Sequence, residues 1–119
     1  MEDNIYIKRL REKISENPAS KLFLSLAEEL WKRDRGDEAI KILLSGIERN
    51  PDFLTARLTL VKWYIKRGMF SEAEREFKEI KERFTDSSNN KIERIERILN
   101  SVNFLNRFLD ALNKRFSNQ

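Results

Sequence analysis

Residues 20–52 read SKLFLSLAEELWKRDRGDEAIKILLSGIERNPD and residues 54–86 read LTARLTLVKWYIKRGMFSEAEREFKEIKERFTD. Aligned at an offset of 34, Leu24, Leu26, Lys32, Arg33, Glu38, Ala39, Glu48, Arg49 and Asp52 recur as Leu58, Leu60, Lys66, Arg67, Glu72, Ala73, Glu82, Arg83 and Asp86. A fixed period of this length marks stacked helix pairs, in which no unit buries its own apolar face and each needs a neighbour. Such a pattern describes a binding scaffold without naming the partner.

The spacing of apolar residues fills in the elements. Phe23, Leu26, Ala27 and Leu30 form the stripe of a helix that starts at about Pro18–Ser20 and stops near Asp34. A second helix opens at Gly36–Asp37, with Asp37 as its cap, and carries Ala39, Ile40, Leu43, Leu44 and Ile47 to Asn50–Pro51. The pattern restarts with Asp52 as a cap and Leu60, Val61 and Tyr64 on the stripe, and closes at Gly68, where glycine favours a left-handed helix end. Ser71 is read as the cap of the next helix, whose buried side is Ala73, Phe77, Ile80 and Phe84. On its outer side Glu74, Lys78 and Glu82 are spaced for ordinary ion pairs.

Before the repeat, Ile5, Leu10 and Ile14 mark a helix over 3–16, ended by Asn17–Pro18. After it, a polar break at 85–90 precedes Ile92, Ile95, Leu99, Val102, Leu105, Leu109, Leu112 and Phe116, a long last helix with a break near Ser101.

With 119 residues the chain is long enough for one domain. Charged residues make up 37% and hydrophobic ones 39%, with three Gly and two Pro, a balance suited to amphipathic helices. The formal charge of +4 comes mainly from residues 87–119, with six basic against three acidic groups. The absence of Cys and His removes disulfides, thiolate and imidazole metal sites, and the commonest general base. No Gly-rich oxyanion turn or phosphate loop accompanies the Ser and Lys residues, so the chain reads as a non-enzyme needing no cofactor and no metal. With no apolar run long enough for a signal or membrane span, it is read as cytoplasmic.

Phe23, Leu26, Ala27, Leu30, Ala39, Leu43, Gly46 and Pro51 together resemble a tetratricopeptide repeat, in which an aromatic, a Leu-small pair and a large residue on one helix meet a small residue and an aromatic on the next. Residues 54–86 follow more loosely. They keep Leu60, Tyr64, Gly68, Ala73 and Phe77 but have Arg57 at the aromatic position, Val61 and Ile80 at small positions, and Thr85 for the closing Pro, while the first unit has Asp34 where a turn Gly usually sits. The resemblance implies an all-α, right-handed α-solenoid of antiparallel helix hairpins with about six helices. It implies a single domain over 1–119, with an N-terminal capping helix at 3–16, repeats at 19–51 and 53–86, and a C-terminal capping helix at 89–117.

In proteins similar to this, the first helix of each pair lines a concave groove that binds a peptide or helix of a protein partner. That puts Lys21, Leu24, Glu28, Trp31 and Lys32, then Thr55, Leu58, Lys62, Ile65 and Lys66, on the groove surface. Leu24, Trp31, Leu58 and Ile65 are large and apolar, so something covers them, a partner or the chain's own last helix. The terminal-carboxylate clamp of some family members is not matched, since Glu28 and Leu58 stand where donors are needed. Lys32, Lys62 and Lys66 favour an acidic, hydrophobic segment. The second reading is a self-assembly module, a homodimer through Phe104, Phe108 and Leu112 beside the stripe of the last helix. Nucleic-acid binding through the basic tail ranks last, because acidic residues interrupt the tail and no recognised motif accompanies it.

Overall fold

The computed structural model describes residues 3–84 and 90–117, and in the last helix it describes backbone alone at 90, 91, 102, 104–106, 108, 109, 112 and 115–117. Among the described residues there are six α-helices and no strand: α1 (Ile5–Glu16), α2 (Phe23–Lys32), α3 (Gly36–Arg49), α4 (Leu54–Lys66), α5 (Phe70–Arg83) and α6 (Asn90–Ser117). Helices α2 and α3 form one antiparallel hairpin and α4 and α5 the next, with α1 packed on α2 and α6 on α4 and α5.

The 34-residue period extends to the backbone hydrogen bonds. At the end of α2, the N–H groups of Arg35 and Asp34 donate to the carbonyls of Leu30 and Trp31, at 2.9 and 3.2 Å. At the end of α4, Met69 and Gly68 do the same to Tyr64 and Ile65, at 2.8 and 3.0 Å. This double closure requires a left-handed residue, supplied by Gly68 (φ 74°) and by Asp34 (φ 62°). Aspartate is among the few side chains that tolerate that conformation, which explains how the first unit dispenses with its turn glycine.

The same geometry corrects the expected caps. Helices α3, α4 and α5 are preceded by Arg35, Phe53 and Met69, none with a side-chain cap, and Asp37, Asp52 and Ser71 do not serve. Arg35 and Met69 already close the preceding helix, so the turn fixes the next start before the candidate caps are reached. Asp37 instead pairs with Arg67 at 2.9 Å and Asp52 with Arg83 at 3.1 Å. Among the described residues α1 alone has the expected kind of cap, where Asn4 Oδ1 accepts from the Ile7 N–H at 2.8 Å. Helix α2 starts later than expected, since residues 17–20 form a turn in which the Ser20 N–H donates to the Asn17 carbonyl. The last helix is unbroken at Ser101, and the polar break at 85–89 lies outside the described residues.

Ala39 and Ala73 are both fully buried, and around them Leu26, Ala27, Leu30, Leu43, Leu60, Val61, Phe77 and Ile80 make one continuous core. The two hairpins solve the same packing problem differently. In the first, the buried Phe23 ring lies so close to Gly46 that any Cβ there would overlap it. In the second, Arg57 and Ile80 hold the equivalent positions. Arg57 is 6% exposed, and its guanidinium donates to the Pro51 carbonyl at 2.7 Å and to Glu76 at 3.0 Å. With both hydrogen-bond partners in place the buried charge is tolerated. An aromatic against glycine is thus replaced by a hydrogen-bonded cation and a fully buried isoleucine.

Helix α1 is fastened by ions as well as by Ile7 and Leu10. Asp3 accepts from Arg11 and from Arg35, each at 2.7 Å, and Glu38 accepts from the same two arginines. Hydrogen bonds from Arg11 and Arg35 hold the Asp3 carboxyl below its ordinary 3.8. Burial pushes Glu38 upward, but the two arginines outweigh it and leave the carboxyl below 4.5. Both carboxyls therefore contribute stability that is present above their ordinary values and lost as pH falls through the lower folded ones. Asp3→Asn should melt earlier than the wild type at neutral pH. The gap should close on acidification through that window, and melting curves from about pH 7 down to about pH 2 would check it. A gap that persists unchanged in acid would show that Asp3 acts by something other than its charge.

Candidate functional site

The first helices of the two hairpins lie side by side, and a tryptophan pair joins them. The Trp31 and Trp63 rings stack with centroids 4.5 Å apart and planes 3° from parallel. Both residues sit near the C-terminal ends of their helices, so α2 and α4 run in the same direction. Trp31 is half-buried and Trp63 buried. The Arg67 guanidinium lies 5.8 Å from the Trp31 ring centroid, within cation–π range, while its Nη2 pairs with Asp37. The same guanidinium lies directly over Gly36, where an added Cβ would displace it. Trp31, Gly36, Asp37, Lys66 and Arg67 line an open cavity of about 710 Å³ at this end of the hairpins.

The residues expected on the groove surface divide by burial. Lys21, Glu28, Lys32, Thr55, Lys62 and Lys66 are exposed, and Leu24, Trp31 and Ile65 are half-buried. Leu58, expected on the open surface, is only 3% exposed and belongs to the core. The reason is the central position of α4, which has α3, α5 and α6 against it. Helix α2 has fewer neighbours, so Leu24, the equivalent of Leu58 one period earlier, keeps part of its surface in water. Lys21 sits just before α2 with its ammonium 5.0 Å from the Phe53 ring.

None of Lys32, Lys62, Lys66 or Glu28 enters an ion pair among the described residues. The face is therefore a ridge of half-buried apolar groups flanked by cations. On α5 the expected Glu74–Lys78–Glu82 pairs do not form. Glu79 pairs with Arg83, Glu76 with Arg57, and Lys81 with Glu96 of α6 at 2.9 Å. The side chains of Phe104, Phe108 and Leu112, expected to mediate self-association, lie outside the described residues.

Trp63 and Arg67 are the members of this face that the sequence reading left out. Trp63 stands 32 residues after Trp31 and not 34, so an alignment of the repeats sets each tryptophan against a different residue. The available signal was that these are the only two tryptophans in the chain, both in last turns of first helices. Among the described residues no group of His, Cys, Asp or Glu could hold a metal ion, and no helix is long and apolar enough to cross a membrane.

The model of the tetratricopeptide repeat family matches residues 30–90, from the last turn of α2 to the first residue of α6. No curated protein gives a significant match.

Proposed function

The chain belongs to the tetratricopeptide repeat family, and on that premise we propose that it is a non-enzymatic interaction module that binds an acidic, hydrophobic segment of a partner protein along α2 and α4. The observation that carries this reading is the Trp31 ring, fixed against Trp63 yet part-exposed, with Lys66 lining the same cavity and Lys32 and Lys62 exposed on the same two helices. A rigid aromatic surface loses little conformational entropy when it is covered, and unpaired lysines beside it attract carboxylates and repel basic competitors. Leu24 and Ile65 extend the apolar strip to either hairpin. A cytoplasmic setting suits such a module, since with no cysteine nothing in it depends on an oxidising compartment.

The test uses synthetic peptides carrying aromatic and aliphatic residues among glutamates, alongside versions with lysine in place of glutamate. Acidic peptides should bind and basic ones should not. Lys62→Glu with Lys66→Glu should weaken the acidic peptides by about tenfold without moving the melting temperature, as both side chains are exposed. Equal binding of acidic and basic peptides, or an affinity indifferent to the two substitutions, would overturn the reading.

A further inference from the structure

Phe23 opens α2 and Arg49 closes α3, so both stand at the same end of the first hairpin, beside the last turn of α1. Between them lies a cavity of about 340 Å³, at the lower end of the range for small-molecule sites. Its walls are apolar, from Ile14 of α1, Phe23 and Leu26 of α2 and Ile42 of α3. Its rim is polar, with Ser15, Ser45 and Arg49. No carboxylate lines it, and Arg49 enters no ion pair among the described residues.

The second hairpin carries a different set of side chains at the same place. Counted 34 residues on, Phe23, Ile42, Ser45 and Arg49 become Arg57, Glu76, Glu79 and Arg83, and Pro18 becomes Asp52. There Arg57 pairs with Glu76 at 3.0 Å, and Arg83 holds two carboxylates, Asp52 at 3.1 Å and Glu79 at 3.3 Å. The first hairpin keeps the closing arginine but has a proline and a serine where those two carboxylates stand, and two apolar side chains in place of the Arg57–Glu76 pair. An exposed arginine in a last helical turn is ordinarily explained by the helix dipole alone. That account leaves the neighbouring exchanges unexplained, which together remove every negative charge around Arg49 and line the adjoining cavity with hydrocarbon. Gly46 cannot carry a side chain to fill the space, because a Cβ there would overlap the Phe23 ring.

We infer that the cavity binds a small apolar monocarboxylate. Its carboxylate pairs with Arg49, in place of the carboxylates that Asp52 and Glu79 supply to Arg83, and its hydrocarbon part lies against Phe23, Leu26 and Ile42. The hydroxyls of Ser15 and Ser45 stand on the same rim as further donors. Arg49 is the one charge among the lining residues, so a single carboxylate balances it and a basic ligand is repelled. The site is at the far end of α2 from Trp31 and does not depend on what the α2–α4 face binds.

Octanoate is the probe. Titrated into the full chain, it should move the backbone amide resonances of Ser15, Ser45 and Arg49 and leave the indole signals of Trp31 and Trp63 in place. Octan-1-ol and octylammonium, with the same chain, and acetate, with the same headgroup, should each bind more weakly by about threefold or more. Arg49→Gln should weaken octanoate by about three- to fivefold, the size expected for an exposed charge pair. Ser45→Glu supplies from within the chain the carboxylate that Glu79 gives to Arg83, four residues before the arginine, and should weaken octanoate as much. Both side chains are exposed, so neither substitution should move the melting temperature. Octan-1-ol binding as well as octanoate, an unchanged affinity in Arg49→Gln, or shifts gathered at the two indoles would each overturn the inference. So would a response confined to peptides that end in a free apolar C-terminal residue, which would assign the cavity to a protein terminus.

Discussion

Gly46→Ala is expected to destabilise the fold by about 1–3 kcal/mol, although alanine is the better helix former by nearly 1 kcal/mol in an ordinary helix interior. The two effects have opposite signs, and packing decides. The added methyl would overlap the ring of Phe23, which is 3% exposed and held edge-on to Phe53 at 5.8 Å, so the ring has to give up that packing, or α2 has to move off α3, to make room. Phe23→Ala alone should cost about 3–5 kcal/mol, as usual for truncating a buried aromatic. In that background Gly46→Ala should become neutral or stabilising, since the methyl then enters a void and the helix preference is left to act. The two substitutions are thus predicted to couple strongly, and denaturant unfolding of the four variants measures this. Additive effects would mean that Gly46 is not held to its small size by Phe23.

The repeat could be read from sequence because its signals are local and periodic. Ala39 and Ala73, Leu26 and Leu60, and the left-handed closure at Gly68 each follow from a position within one hairpin. Two kinds of feature escaped. Where one turn both ends a helix and starts the next, the start is dictated by the double closure, so Asp37 and Ser71 were plausible caps in the wrong place. Contacts between hairpins do not obey the repeat period, because a side chain on α2 meets a different register on α4. That is why Trp31 was recognised and its partner Trp63 was not, and why Leu58, placed by analogy with Leu24, turned out to be covered by neighbours that Leu24 lacks. The exchange of Phe23 with Gly46 for Arg57 with Ile80 looked like decay of the motif at each position taken singly. It makes sense only as a pair, with Glu76 and the Pro51 carbonyl holding the arginine.

The tryptophan stack gives the other large effect. Trp63→Ala should lower stability by about 3–5 kcal/mol, within the range for truncating a buried aromatic. Trp31→Ala should cost roughly half of that, because part of its ring is already in water. Beyond area alone, the stacked geometry adds a coupling of about 0.5–1.5 kcal/mol, which a cycle of the two alanine variants and the double variant would isolate. A spectroscopic signature separates stacking from simple burial. Since the chain has only these two indoles, parallel rings at 4.5 Å should give a paired exciton band in far-ultraviolet circular dichroism. Trp31→Phe and Trp63→Phe should each abolish that band while keeping most of the packing. The two sites should then part company in binding. Trp31→Phe retains an exposed aromatic and should still bind acidic peptides, whereas Trp31→Ala should lose them with the helices intact. If Trp31→Ala unfolds the chain as thoroughly as Trp63→Ala, the ring is a core residue on both faces and the α2–α4 surface has no anchor to offer.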